Sequence, residues 1–431
     1  MATRLIFLIL GVLAITGHAH GAPFDPEAAT RAYLDTVAGE ARARSDAYFT
    51  GGYWLQLVDV LVAIIIAWAL LQSGFARKIR DRLGNALRWR WAVVVGFFAI
   101  YTLVVFVLEF PLGFYENFLR EHAYELSNQS FMDWFGESLK SLLIGVLFGA
   151  PFAALFYAIL RRAPRTWWVW GTGLSILFLA LALFIAPVFI SPLFNDYTPM
   201  KDGPLKQRIL AIADANGVPA DNIYVFDTSR QSGRITANVS GLFGTTRISL
   251  GDNLLSEATD KEVEAVMGHE MGHYVLGHSF SLMISFGLTL MGGFAFVHFI
   301  YPVVVRRWGK GWGVEGIDDI GGLPLIMALM SVYFLLATPL TNTIVRTHEA
   351  QADIFGLDAA RAPDGFAAIA MKLASYRKLE PGKMEEIIFY DHPSGRARVA
   401  MSMRWKAAQL RMGAKDLDPA MAPLAAKITD K

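Results

Sequence analysis

The sequence contains no cysteine, so disulfides, thiolate nucleophiles and Cys-ligated metals are excluded, and any metal must sit on His, Asp or Glu. Histidine is itself scarce, with nine in 431 residues, which narrows the search for a metal site. Charge is also thin. Only 18% of residues are charged, against 54% hydrophobic and a mean hydropathy of +0.38, a balance too apolar for an ordinary soluble domain. The net charge of +1 offers no strongly basic surface, and no finger, RNP or helix-turn-helix pattern occurs, so nucleic acid is not expected as a partner. Internal repeats and low-complexity tracts are likewise missing.

What the chain does have is long apolar runs. Six of them, at 53–75, 91–113, 139–160, 167–190, 279–303 and 322–345, can each cross a hydrocarbon core about 30 Å thick as a helix. Aromatic residues stand at several of their ends, as in Tyr53-Trp54, Trp89, Trp91 and Trp167-Trp168, where amphipathic rings favour the interface. Ahead of them, Arg4, the apolar run Leu5–Ile15 and the small residues Ala19 to Ala22 read as a secretory signal over residues 1–22. The competing reading is an uncleaved first membrane helix, for which the run is short. Residues 23–52 form a polar arm. Asp59, inside the first long run, is the type of residue that marks function in a membrane span, but it lies close enough to Tyr53 to reach the interface and is left out of the site.

This divides the chain into four spans over 53–193, a first polar segment 194–278, two spans over 279–345, and a tail 346–431. The first polar segment predicts a helix over Pro204–Asn216 stopped by Gly217. Short strands follow over 222–228, 234–240 and 246–250, with a hairpin turn at Gly241–Gly244. Next comes a helix opened by a capping box, because Thr259 is followed three residues later by Glu262.

That helix carries His269-Glu270-Met271-Gly272-His273, the H-E-x-x-H pattern. Its imidazoles lie one turn apart on one face and can share a zinc, while the carboxylate beside them can accept a proton from the attacking water. A catalytic zinc takes three protein ligands and keeps an open position, so a third is needed. His278, five residues beyond His273, would lie about 500° further round a continuous helix and off the ligand face, at about 100° per residue. His348 and Glu349 are adjacent and cannot both face the metal. Glu349 and Asp353 share a helical face, as a ligand and a carboxylate able to orient a ligand imidazole, which favours Glu349.

The blocks FISPLFNDYTPMKDGPLK, SRQSGRITANVSGLFG, HEMGHYVLGH, RTHEAQAD and DHPSGRAR, in this order along the chain, resemble the signatures of the integral-membrane zinc CAAX prenyl endopeptidases, a resemblance that covers Trp54 to Arg404. The resemblance implies a gluzincin with several membrane helices. It implies Glu349 as third ligand, Asp353 behind a ligand, His392 as a donor to the oxyanion, and Asn238 as a holder of substrate backbone from an edge strand. Arg346 and Arg398 become structural or active-site arginines. The sequence departs from the family in its signal-like start and in His348, which replaces a usual apolar residue.

The expectation is therefore an α-helical polytopic membrane protein. A transmembrane bundle or barrel carries a gluzincin-type α+β zinc metalloprotease domain with one Zn2+ per chain. Its partners are membrane lipids and peptide or lipidated protein substrates, with a general quality-control endopeptidase as the alternative. The rival from another class is a polytopic transporter or scaffold with a structural zinc, which would need a fourth protein ligand. Arg and Lys cluster in the loops after the first, third and fifth spans, which points to a bacterial inner-membrane protein with its catalytic domain on the periplasmic or lumenal side.

Overall fold

A computed structural model describes residues 24–219, 222–241, 246–414 and 417. The expected signal segment and most of the expected hairpin turn lie outside the described residues. Among the described residues six helices are long and apolar enough to cross a membrane, and they overlap the six apolar runs.

The polar arm is a short helix, α1 (Pro26–Leu34), followed by α2 (Gly39–Gln72), which begins within the arm and continues as the first long helix. Asp25 caps α1 by accepting from the Glu27 and Ala28 amides. Leu34 is fully buried against Ala367, Met371, Val399 and Met403 of the tail. Ser45 Oγ donates to the Arg377 carbonyl at 3.0 Å, so the arm is tied to the polar part of the molecule.

After α2 come α3 (Phe75–Ala86), α4 (Arg90–Phe114), the short α5 (Arg120–Ala123), α6 (Phe131–Arg162) and α7 (Trp167–Ile185). The apolar core between the long helices is built from Phe97, Phe156, Tyr157, Trp167, Phe294 and Tyr301. Arg80 of α3 donates to the Gly313 carbonyl at 2.8 Å and pairs with Asp319, which joins the loop after the first long helix to the loop after the fifth. At the other end of the bundle, the Asn128 amide donates to the Gln231 carbonyl at 3.1 Å, joining the loop after α5 to the first polar segment.

That segment holds β1 (Tyr197–Pro199), α8 (Pro204–Ala215), β2 (Ile223–Phe226), β3 (Ala237–Ser240), β4 (Arg247–Gly251), α9 (Asp252–Glu257) and α10 (Asp260–Val275). The strands run in the order β1-β2-β4-β3, with β2 and β4 parallel and both outer pairs antiparallel. Three of the four strands match the predicted positions. The fourth, β1, is only three residues long and opens with Tyr197-Thr198 ahead of a proline, too short for a periodic signal. Ile223, Ile248 and Leu250 pack on Met267 and Met271 of α10. The capping box at Thr259 and Glu262 is formed.

One expected boundary moves. The motif helix does not run into the membrane span but stops at Val275; Gly277, at φ 66°, turns the chain, and α11 (His278–Trp312) starts afresh. By contrast α12 (Leu323–Ala360) continues unbroken from span to polar region. The tail adds α13 (Pro363–Lys372), α14 (Lys383–Phe389) and α15 (Gly395–Arg411).

Helices α10 and α12 touch along small residues. A Cβ on Gly356 would stand 2.7 Å from the His269 amide nitrogen, and one on Gly268 would stand 2.9 Å from the Gly356 carbonyl oxygen. Gly272 rests against Ala352 in the same way. Gly356→Ala should therefore push the two helices apart and cost about 1–3 kcal/mol, as other overpacked interiors do. Thermal unfolding in detergent checks this: a variant as stable as the parent would mean that the crossing is looser than described.

Candidate metal centre

The capped start of α10 and its contact with the sheet fix the rotation of the helix, and this sets His269 and His273 one turn apart facing α12. Their Nε2 atoms are 3.1 Å apart. Nε2 of His269 lies 3.3 Å from Oε2 of Glu349, and Nε2 of His273 lies 3.4 Å from Oε1. Two ligands of a tetrahedral zinc with bonds of about 2.0–2.1 Å are separated by about 3.3–3.4 Å. The separations of 3.1, 3.3 and 3.4 Å, the last two taken to the two oxygens of the Glu349 carboxylate, are of that size, and together the two imidazoles and the carboxylate form a donor triangle. All its atoms are electron-pair donors, and Oε2 of Glu349 is buried with no well-formed hydrogen bond, so the set fits a metal ion.

Adjacent His348 turns the other way. Its Nδ1–H donates to the Ile344 carbonyl at 2.7 Å, and its Nε2 lies 2.6 Å from Ser281 Oγ. Asp353 is completely buried, and its Oδ1 is 2.8 Å from Nδ1 of His269. Arg398 holds that carboxylate with two bonds, at 2.9 and 2.5 Å. The pair is the geometry in which a buried arginine and carboxylate satisfy one another.

His392 is brought to the same place from the tail: its Nε2 is 3.2 Å from Oε2 of Glu349, and its Nδ1 is 2.9 Å from Asp391. The loop bearing it is held by Arg346, which donates to the Glu386 carbonyl at 2.8 Å and to the Tyr390 carbonyl, and by the Ser394 amide, which donates to Glu386 at 2.9 Å. Arg346 thus reaches the site through that loop rather than directly.

Glu270 faces a cavity of about 160 Å³ beside the triangle, walled by Thr236, by Ala237 of β3, and by His269, Arg377 and His392. Burial pushes the Glu270 carboxyl above the ordinary glutamate range, towards the pH where a base is most effective. β3 is one of the two outer strands of the sheet, with one edge unpaired by any described strand. Asn238 sits on it opposite Ser249, one residue beyond the wall-forming Ala237.

Sequence reasoning missed His278, Gln351 and Asp391. For His278 the signal was Gly277, which ends the helix and cancels the 500° rotation on which the exclusion of His278 rested. Asp391 was legible only as the neighbour of His392.

Residues 199–405 match the model of peptidase family M48, and residues 27–196 match that of the CAAX prenyl protease N-terminal domain with five membrane helices. The latter stretch holds four of the six long helices. The chain is 29% identical over 348 residues to the uncharacterized metalloprotease YhfN of Bacillus subtilis, covering 80% of this chain and 82% of that one. It is 32% identical over 268 residues to the CAAX prenyl protease 1 homolog of Dictyostelium discoideum, covering 61% and 62% of the two chains. The corresponding figures for CAAX prenyl protease 1 of Saccharomyces cerevisiae are 32% identity and 58% of each chain. The chain thus spans about three fifths of these two eukaryotic relatives. The crystal structure of S. mikatae Ste24p has the same fold, with a TM-score of 0.70 at 24% identity over 88% of this chain and 94% of that one. The two family models together reach from the polar arm to α15, and on that coverage the chain belongs to the multi-pass membrane metallopeptidases of family M48.

Proposed function

We propose that the protein is a zinc endopeptidase acting on membrane-associated peptides, with His269, His273 and Glu349 holding the metal and Glu270 as base. The observation that carries this reading is the triangle of donor groups beside a partly buried glutamate that lines a cavity. Bound zinc supplies Lewis-acid polarisation of the scissile carbonyl. Glu270 accepts the proton of the attacking water and delivers it to the leaving amine. With Asp391 accepting from Nδ1, His392 must be an imidazolium to donate from Nε2, and such a donor to the developing oxyanion is worth about 3–4 kcal/mol. The free edge of β3 suits an extended substrate backbone, with Asn238 fixing its register. Arg398 and Asp353 hold the His269 ring, and Arg346 holds the loop of His392. The polar segments 194–278 and 346–431 make up the catalytic unit in this reading. Glu270→Gln should keep bound zinc and lose roughly 10²–10⁴-fold in kcat, whereas Glu349→Ala should lose the metal itself. Near-normal turnover of Glu270→Gln, measured on a fluorogenic peptide, would sink the assignment.

The substrate class follows from where Glu349 stands. It lies one to two turns beyond the apolar run of α12, on the same continuous helix, so the site is close to the membrane surface. The CAAX prenyl protease relatives favour a prenylated C-terminal tail, and a broader quality-control role shares the same chemistry. A lipidated peptide should show a higher kcat/KM than its unlipidated twin, because each buried CH₂ adds about 0.8 kcal/mol of membrane partitioning. Equal values would favour water-borne substrates.

We further propose a bacterial inner-membrane location with the catalytic unit outside the cytoplasm. If each of the six long helices among the described residues crosses the membrane once, the arm, the sheet and the tail fall on one face, and Arg77, Lys78, Arg80, Arg82, Arg161, Arg162, Arg306 and Arg307 on the other. By the positive-inside rule the basic face is cytoplasmic. In this Cys-free chain, Lys383→Cys should react with an impermeant thiol reagent in intact cells, and Arg165→Cys only after lysis. The reverse pattern would invert the topology.

A further inference from the structure

The turn at Gly277 returns His278 to the site. Its Nδ1 lies 2.9 Å from Nδ1 of His273, the nitrogen that does not face the donor triangle. The His278 ring is buried, and its Nε2 lies 3.1 Å from Oε1 of Gln351, on α12 two residues past Glu349.

The protons of this chain can be placed from the carbonyl outward. The Gln351 oxygen can only accept, so Nε2 of His278 carries its hydrogen and Nδ1 of the neutral ring is a lone pair. A nitrogen–nitrogen contact of 2.9 Å needs one proton, which must belong to Nδ1 of His273. Nε2 of His273 is then bare and points at the triangle, as a metal ligand requires. We propose that His278 is a positioning residue that fixes the tautomer and ring plane of His273, with Gln351 fixing His278 in turn. This rests on the metal-site reading given above.

The two ligand imidazoles are thereby held differently. His269 faces the charged Asp353, anchored by Arg398, whereas His273 faces an uncharged acceptor. A neutral partner avoids adding another carboxylate to a pocket that already contains Glu270, Glu349, Asp353 and Asp391. Beyond His278 lies the His348 ring, at 4.7 Å between centroids, whose nitrogens are engaged by Ser281 and the Ile344 carbonyl.

The test is zinc affinity of the purified full chain in detergent, measured by competition with a chromophoric chelator alongside melting of the metal-free protein. His278→Leu should raise the Kd for zinc about 10–100-fold, the usual effect of losing a partner behind a ligand. His278→Asn, whose side-chain oxygen can still accept from His273, should stay within about threefold of the parent by the same reasoning, and Gln351→Leu should fall between. If His278→Leu does not fold, the contrast between His278→Asn and Gln351→Leu decides. The inference is overturned if His278→Leu folds and binds zinc as tightly as a zinc-binding parent, or if His278→Asn is as weak as His278→Leu. A parent that binds no zinc would overturn the metal reading itself, and this inference with it.

Discussion

The close crossing of α10 and α12 is the constraint on which the rest depends. Helices usually pack with axes about 8–10 Å apart, and small residues at the contact set the lower limit. Here Gly268 and Gly272 meet Ala352 and Gly356, so that backbone lies against backbone. That separation lets His269 and His273 on one helix and the Glu349 carboxylate on the other come within 3.1 to 3.4 Å of one another. Because α12 runs unbroken from its long apolar run to Ala360, the same contact also fixes where Glu349 stands relative to that run. The sheet, packed on the other side of α10 through Met267 and Met271, keeps that helix from rotating its histidines away.

Electrostatics explains the layers around the triangle. Glu349 and Asp353 are both buried on α12, and an uncompensated buried carboxylate is costly. Arg398 reaches in from α15 to balance Asp353, and α15 is itself seated on α13 and on the polar arm through Met371, Val399, Met403 and Leu34. The arm therefore contributes to the site at a distance, by fixing the helix that carries the arginine. His392 is fixed in a parallel way, by Arg346 gripping the Glu386 and Tyr390 carbonyls at the start of its loop.

Much of this was legible from residues alone, and the failures share a cause. The six long helices, the capped motif helix, three strands and the choice of Glu349 over His348 followed from periodicity, capping and helical rotation, which are local properties. A single glycine after a helical pattern is compatible with continuation, so the turn at Gly277, and with it the contact of His278 with the far nitrogen of His273, is not legible from spacing. The strand β1 and the anchoring of His392 by Arg346 and Asp391 depend on contacts between distant segments that no spacing rule encodes. Composition marks the polar arm, but its docking on α13 and α15 through Leu34 is a contact between the two ends of the chain.

The central claim is that three protein atoms, and no fourth, hold one metal ion where α10 and α12 cross. Anomalous diffraction from crystals of the purified protein, recorded on either side of the zinc absorption edge, tests it most directly. A single peak bounded by Nε2 of His269, Nε2 of His273 and the Glu349 carboxylate, with one coordination position left to solvent, is the predicted result. A peak elsewhere, or one closed by a fourth protein ligand as in a structural site, would contradict the account.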